Sequence, residues 1–240
     1  MPLSAQYSVV VPAAGVGKRM KADNPKQYLH IAGKTVIEHT LNNLLAHNQI
    51  KRVIVALNPS DTLFAHLPVA SDPRVDTVIG GQERSDSVLA GLNYLPSNEA
   101  WVLVHDAARP CVKHQDLTQL INYCLENDHG GLLAAPVRDT MKQANAEQCV
   151  ASTLDRSQMW HALTPQMYKT AELTSAITAS LASNVAITDE SSALEAMGYV
   201  SGLVSGSSDN IKITQPEDLS LAEFILNQQA KILSSEAICE

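Results

Sequence analysis

Short apolar runs rich in β-branched residues alternate along this chain with longer stretches in which apolar residues recur every three or four positions. The first run, Val9 to Val11, stops at Pro12 and opens into the small-residue loop AAGVG. Val36-Ile37, Leu41 and Leu44-Leu45 then share one side of a predicted helix that ends near Asn48. Further strands are predicted at Arg52 to Leu57, Val75 to Ile79, Trp101 to Val104 and Leu132 to Val137. Asn58-Pro59-Ser60-Asp61 supplies a turn into a short apolar piece through Leu67. Two helices fill the remaining gaps, one carrying Val88, Leu89, Leu92 and Leu95, the other Leu117, Leu120, Ile121 and Leu125. Strand and helix alternating at this spacing predict an α/β, Rossmann-like domain: a mainly parallel twisted sheet with helices on both faces.

From Arg138 to Thr164 the alternation fails. Polar residues such as Asp139, Lys142, Gln143 and Glu147 interrupt the apolar ones, and no helical period survives. Residues 138–164 therefore read as a projecting arm, a β-hairpin that finds its partner on a second subunit, or else as a long loop. Helical pattern resumes over Tyr168 to Leu181 and Asp189 to Met197. Strands near Val200 to Val204 and Ile211 to Ile213 follow, and a closing helix after Pro216 runs through Leu219, Ala222, Phe224 and Ile225. With no repeat and no linker to divide it, the chain is expected to form a single domain over 1–240.

Composition narrows the function. Of the 240 residues 45% are apolar, ample for a core, and a net charge of -8 argues against nucleic acid as a partner. Cys111, Cys124, Cys149 and Cys239 lack the paired spacing of a zinc or redox site, so reduced thiols are expected. No run approaches the ~20 apolar residues of a membrane span, nor does the N-terminus resemble a secretory signal, so a cytoplasmic address with no membrane partner is expected.

Against that acidic background the basic loop after the first strand stands out. Gly15 and Gly17 allow close backbone approach to an anion, and Lys18, Arg19, Lys21 and Lys26 bring positive charge. Neither common glycine-rich fingerprint fits. Met20 stands where a dinucleotide site needs a small residue, and Arg19 where a P-loop needs Ser or Thr. A plain turn with solvated lysines matches the spacing as well as a phosphate cradle does. The surrounding strand ends favour the cradle, because in an open parallel sheet the ligand crevice lies beyond the carboxyl ends of the strands. Those ends carry GGQERSDS, with Gly81 and Ser87 suited to a planar base; HDAARP, with His105, Asp106 and Arg109; and RDTMK.

The blocks PAAGVGKRM, PKQY, GGQERSDSV, VHDAARP, APVRDTMK, DRSQMWHALTPQ, ITDESSALE and DNIKIT together resemble the 2-C-methyl-D-erythritol 4-phosphate cytidylyltransferases of the non-mevalonate isoprenoid pathway. The resemblance runs from about Val9 to Ile225. It implies a nucleotidyltransferase domain in which the phosphate of methylerythritol phosphate attacks the α-phosphorus of CTP in line, with Mg2+ held mainly by the CTP phosphates. Catalysis then rests on positioning and charge stabilisation. Matched block by block, the resemblance implies that Arg19 and Lys26 stabilise charge on phosphorus and that Arg156 and Lys212 aim the acceptor phosphate. Pro12, Ala13, Ala14, Gly15, Gly81, Gln82 and Ser87 would hold CTP. Asp106, Ala107, Arg109, Thr140, Thr164 and Thr188 would hold the acceptor. Gln82 departs from the aspartate of some members, which leaves base contact there to the backbone or a glutamine amide. No protein metal ligand is implied; Asp106 and Asp209 are the conceivable exceptions. His105 and His161 read as structural, since a phosphate nucleophile is already ionised. The partners implied are CTP, methylerythritol phosphate and a second copy in a homodimer.

Overall fold

Val9, Val10 and Val11 are completely buried, and their side chains divide between two separate cores, because successive residues of a strand point to opposite faces of its sheet. They belong to β1 (Tyr7–Pro12), the first strand of the computed structural model, which describes residues 5–15, 25–183 and 185–236. A small hairpin follows, β2 (His30–Ile31) and β3 (Lys34–Thr35), and leads into α1 (Val36–Ala46). Thr35 caps that helix: its hydroxyl accepts from Glu38 N–H at 3.3 Å, while Glu38 Oε2 accepts from Thr35 N–H at 2.9 Å. The chain continues through β4 (Ile50–Leu57), β5 (Val75–Ile79), α2 (Arg84–Tyr94), β6 (Trp101–Val104), α3 (His114–Asn127) and β7 (Gly131–Pro136). After β8 (Met141–Ala144) and β9 (Val150–Leu154) come β10 (Trp160–Lys169), α4 (Thr170–Ala182), α5 (Glu190–Ala196), β11 (Gly202–Ser205) and α6 (Glu217–Glu236).

Seven strands make one sheet in the order β11-β7-β10-β6-β1-β4-β5. Neighbours run parallel except at β10, which is antiparallel to both β6 and β7. Helices α1 and α3 cover one face through Ile37, Leu41, Leu44, Leu117, Leu120 and Ile121, packed on Val9, Val11, Val53, Val55, Leu103 and Met167. The other face carries α2, α4 and α5, whose Val88, Leu92, Leu173, Ile177 and Leu194 meet Val10, Ile54, Val102, Val104 and Tyr168. At 25–30 cal/mol per Å² of apolar surface removed from water, each such aliphatic side chain contributes about 1.5–3 kcal/mol. A third cluster joins Ala222 and Ile225 of α6 to Ile31, Val36, Ala108, Cys111 and Ile213. It fixes the segment before α6 beside the carboxyl end of β6, where Ile213 N–H donates to Ala108 O at 2.9 Å.

Several expectations need correction. The hairpin β8–β9 is there, as a separate two-stranded sheet, but it occupies 141–154. Residues 160–164, expected in the arm, instead begin β10 inside the main sheet. Tyr168 and Lys169 end that strand rather than opening a helix, which starts at Thr170. Pro165 masks the strand in the sequence, since proline cannot donate to a ladder and argues against a central strand. The fold accommodates it where the β10–β7 register slips, between Ala162 and Gln166. Residues 211–213 form no strand; their backbone is engaged by the loops around the crevice. Cys111 and Cys124 are buried free thiols, both pushed up to about 12 by burial, whereas Cys149 on the hairpin is exposed.

Candidate active site

Strand β1 lies between β4 and β6, so the chain order reverses at its edge and a crevice opens at the carboxyl ends of β1 and β6. The loop leaving β1 is pinned by its carbonyls. Gln27 Nε2 donates to Ala13 O at 2.9 Å and to Gly15 O at 3.2 Å, and Asn58 Nδ2 donates to Ala14 O at 3.1 Å. Among the described residues, a Cβ at Gly15 would meet nothing within 4 Å. On the opposite wall Gly81 N–H donates to Ser87 Oγ at 3.1 Å, and Glu83 N–H donates to Asp86 Oδ2 at 3.0 Å. These bonds curl Gly81–Glu83 over the start of α2. The turn is tight enough that a Cβ on Gly81 would stand 2.1 Å from Asp86 Cβ.

A cavity of about 340 Å³ lies between these walls, lined by Pro12, Ala13, Ala14, Gly15, Lys26, Gly81, Gln82, Ser87, Asp106, Ala107 and Lys212, with Gln27, Glu83, Arg84, Ala108 and Thr214. A second cavity of about 200 Å³ adjoins it, lined by Arg109, Leu163, Thr164, Gln166, Thr188 and Asp189. Arg84, Asp106 and Lys212 line both. Asp106 is the hub of this partition. Its Oδ1 faces Arg84 Nε at 2.9 Å, and its Oδ2 faces Lys212 Nζ at 2.8 Å and Arg109 Nε at 3.4 Å. Burial opposes ionisation here, but the charges of Arg84, Lys212 and Arg109 outweigh it and hold the carboxyl well below the usual carboxylate range. Arg84 also forks onto Glu190, Nη1 to Oε1 at 2.6 Å and Nη2 to Oε2 at 3.2 Å. Burial works against the Arg84 cation, yet Glu190 and Asp106 more than compensate and raise its pKa further.

Behind the hub runs a chain of buried hydrogen bonds. Asp106 N–H donates to Thr164 Oγ1 at 3.1 Å, Thr164 Oγ1 lies 3.0 Å from His105 Nδ1, and His105 Nε2 lies 3.0 Å from Arg109 O. A carbonyl can only accept, so Nε2 carries the proton and Nδ1 accepts from the threonine hydroxyl. Burial lowers the His105 pKa to about 4, which keeps the ring neutral near pH 7. Asn210 Nδ2 donates to Thr164 O at 2.7 Å, and Arg109 Nη1 donates to Asn210 O at 2.6 Å, so β6, β10 and the segment before α6 are locked together. In the larger cavity Lys26 Nζ donates to Ile213 O at 2.8 Å.

The structure thus gathers most of the residues singled out from sequence, and two depart from the group. Thr140 and Arg156 are exposed and line neither cavity; an Arg156 nitrogen donates to Arg138 O at the base of the hairpin. Arg19 lies outside the described residues, as do Lys18, Lys21 and Gly17. Asp209 is paired with Lys113 at 2.7 Å. His161 is exposed on β10. Sequence reasoning missed Arg84, Glu190, Gln27 and Asn210. Arg84 sits inside GGQERSDS, three residues from Ser87, but the two acids that fix it come from distant segments and left no local pattern. Gln27 sits in PKQY, where an uncharged amide carries no signal beside the cation of Lys26.

Comparison with known proteins agrees on one family. The model for "IspD: 2-C-methyl-D-erythritol 4-phosphate cytidylyltransferase" matches residues 7–228. The chain is 54% identical over 233 residues to a 2-C-methyl-D-erythritol 4-phosphate cytidylyltransferase of Photobacterium profundum, covering 95% of this chain and 100% of the relative. A protein of the same name from Vibrio vulnificus (strain YJ016) is 57% identical over 223 residues, covering 92% and 94%. Among solved structures, that of the Francisella tularensis 2-C-methyl-D-erythritol 4-phosphate cytidylyltransferase superposes with a TM-score of 0.79 at 32% identity, covering 92% of this chain and 100% of that one. A 4-diphosphocytidyl-2C-methyl-D-erythritol synthase matches with a TM-score of 0.80 at 34% identity, covering 93% and 100%.

Proposed function

The chain belongs to the 2-C-methyl-D-erythritol 4-phosphate cytidylyltransferase family and transfers the cytidylyl group of CTP to 2-C-methyl-D-erythritol 4-phosphate in the non-mevalonate isoprenoid pathway, and from that premise we propose how its crevice divides the work. The observation that carries the proposal is the pair of adjoining cavities sharing Arg84, Asp106 and Lys212 as their partition. CTP occupies the larger one, its triphosphate along Pro12–Gly15 and its base against Gly81, Gln82 and Ser87. The acceptor occupies the smaller, its hydroxyls toward Asp106, Ala107, Thr164 and Thr188 with Arg109 behind them. Its phosphate reaches the partition beside Lys212, where attack on the α-phosphorus of CTP expels pyrophosphate in line. Lys26, with Arg19, stabilises the charge that gathers on phosphorus in the transition state.

Mg2+ enters on this reading as a partner of the triphosphate. The lining of the larger cavity is backbone, amide, hydroxyl, ammonium and guanidinium groups around two carboxylates, Glu83 and Asp106, and both oxygens of Asp106 already face cations. Among the described residues no His, Cys, Asp and Glu cluster could hold a metal. That donor set fits phosphate oxygens better than a bare cation, so the ion is held mainly by CTP and its water, and it supplies charge neutralisation there. Thr140 and Arg156 reach an acceptor only if the hairpin crosses to a partner; the enzyme is therefore a homodimer whose acceptor sites are completed in trans. No described helix is long and apolar enough to cross a membrane, and the reading places the enzyme in the cytoplasm.

Lys26→Met tests the division of labour. We expect CTP affinity by calorimetry to stay within about threefold while kcat for pyrophosphate release falls by about 10²-fold or more, the signature of an interaction made only in the transition state. A variant with normal kcat and weakened CTP binding would instead make Lys26 a ground-state contact.

A further inference from the structure

Arg84 is absent from the assignments above, although it is the side chain that ties the two cavities together. It rises from the first turn of α2, beside the Gly81–Ser87 turn, and its three nitrogens are all committed. The fork on Glu190, a residue 1% exposed at the head of α5, fixes the guanidinium plane, and Nε is left facing Asp106 Oδ1 at 2.9 Å. Glu190 stands two residues beyond Thr188, so this one side chain spans from the nucleotide wall to the acceptor wall.

The charges around it are uneven. Two carboxylates, Asp106 and Glu190, face three cations, Arg84, Arg109 and Lys212. Lys212 is the most exposed of the three, with 37% of its side chain accessible against 28% for Arg84 and 10% for Arg109. A substrate phosphate that draws on Lys212 must compete with Asp106 for it, and a buried carboxylate stripped of its cations is strongly destabilised. Arg109 cannot replace Lys212 alone, because it approaches Asp106 only at 3.4 Å and its Nη1 is bound to Asn210 O.

We infer that Arg84 is a positioning residue: it keeps Asp106 compensated and fixed when Lys212 turns to the substrate phosphate, and through Glu190 it holds the Thr188 side of the acceptor cavity in register with the nucleotide wall. The inference rests on the site reading proposed above. With Arg84 removed, Lys212 stays captured by Asp106, so the acceptor is used badly while CTP still binds.

Three variants test this by calorimetric CTP binding and steady-state kinetics with both substrates. Arg84→Met should lower kcat/KM for methylerythritol phosphate by about tenfold or more, with CTP Kd within about threefold of the wild type. Because Arg84→Met strands Glu190 and could fail to fold, the double variant Arg84→Met/Glu190→Gln removes both charges and should show the same acceptor defect. A double variant with kcat/KM within about threefold of the wild type would overturn the inference, since Arg84 would then serve only to neutralise Glu190. So would a CTP Kd that worsens in step with the acceptor defect. Lys212→Met separates this from the underlying reading. If Lys212→Met keeps full acceptor kcat/KM, the site assignment itself fails; if it is crippled while the double variant is normal, the role of Arg84 alone falls.

Discussion

At the scale of single residues, two glycines in the crevice look interchangeable in sequence and are not. A Cβ at Gly81 would strike Asp86 Cβ at 2.1 Å, and the next residue back, Gly80, would meet Ala14 Cβ at 2.7 Å and Ser87 Oγ at 2.8 Å. Gly15, in contrast, has no atom of a described residue within 4 Å of its missing Cβ, so none of them requires a glycine there. The two substitutions should therefore separate. Gly81→Ala forces the Gly81–Ser87 turn apart, and we expect a stability loss of about 1–3 kcal/mol in urea unfolding together with weaker CTP binding. Gly15→Ala should unfold within about 0.5 kcal/mol of the wild type yet still weaken CTP binding, because its methyl group fills substrate space. Equal stability losses at both positions would contradict this separation.

At the scale of elements, the bonds from β6 through His105 to β10 and the segment before α6 depend on a neutral imidazole. With its pKa lowered by burial from 6.5 to about 4, His105 binds a proton in the unfolded chain before it does so in the folded one. Its contribution is fully present above about pH 6.5 and is lost as pH falls through the window from 6.5 to 4, by up to about 3 kcal/mol. His47, lowered first by burial and then by His114, adds to the slope in the same direction. The lowered carboxyl of Asp106 has the opposite charge type, and its contribution is lost only at more acid pH. Urea midpoints should fall from pH 7 to pH 4 in the wild type and fall less steeply in His105→Asn; parallel slopes for the two proteins would rule the imidazole out as the source. Most elements around this relay were legible in the sequence, because parallel strands buried on both faces leave continuous runs such as Val9–Val11 and Trp101–Val104, and amphipathic helices leave a period. Strand β10 was not, since Pro165 interrupts it and its partners, β6 and β7, lie far away in the chain. Hairpin β2–β3 was too short to leave a period. For the site, residues at strand ends could be sorted by topology alone, whereas Arg84 and Glu190 find each other across 106 positions and only the fold reveals the pair.

At the scale of the whole molecule, the hairpin β8–β9 carries Val150, 66% exposed, and Leu154, 36% exposed, with Thr140 and Arg156 near its base and outside both cavities of their own chain. An isolated two-stranded ribbon is marginal in water, so a ribbon that presents apolar residues is best stabilised against another surface. If the partner is a second copy and Arg156 acts there, two inactive chains should complement each other. Consider Arg156→Met, which damages the arm, and Lys212→Met, which damages the crevice. In a mixed dimer the Arg156→Met chain keeps an intact crevice and receives an intact Arg156 from the Lys212→Met chain, so one of its two sites works. Equal amounts of the two chains, unfolded together and refolded, give about half mixed dimers by random pairing, and pyrophosphate release should recover to about a quarter of the wild-type rate. Each variant refolded alone should remain near its own residual rate. Were Arg156 instead to serve the crevice of its own chain, every site in the mixture would still lack one of the two cations. The mixture would then show no more activity than the average of its components, and the trans assignment of the hairpin would be lost while the assignment of Lys212 stood.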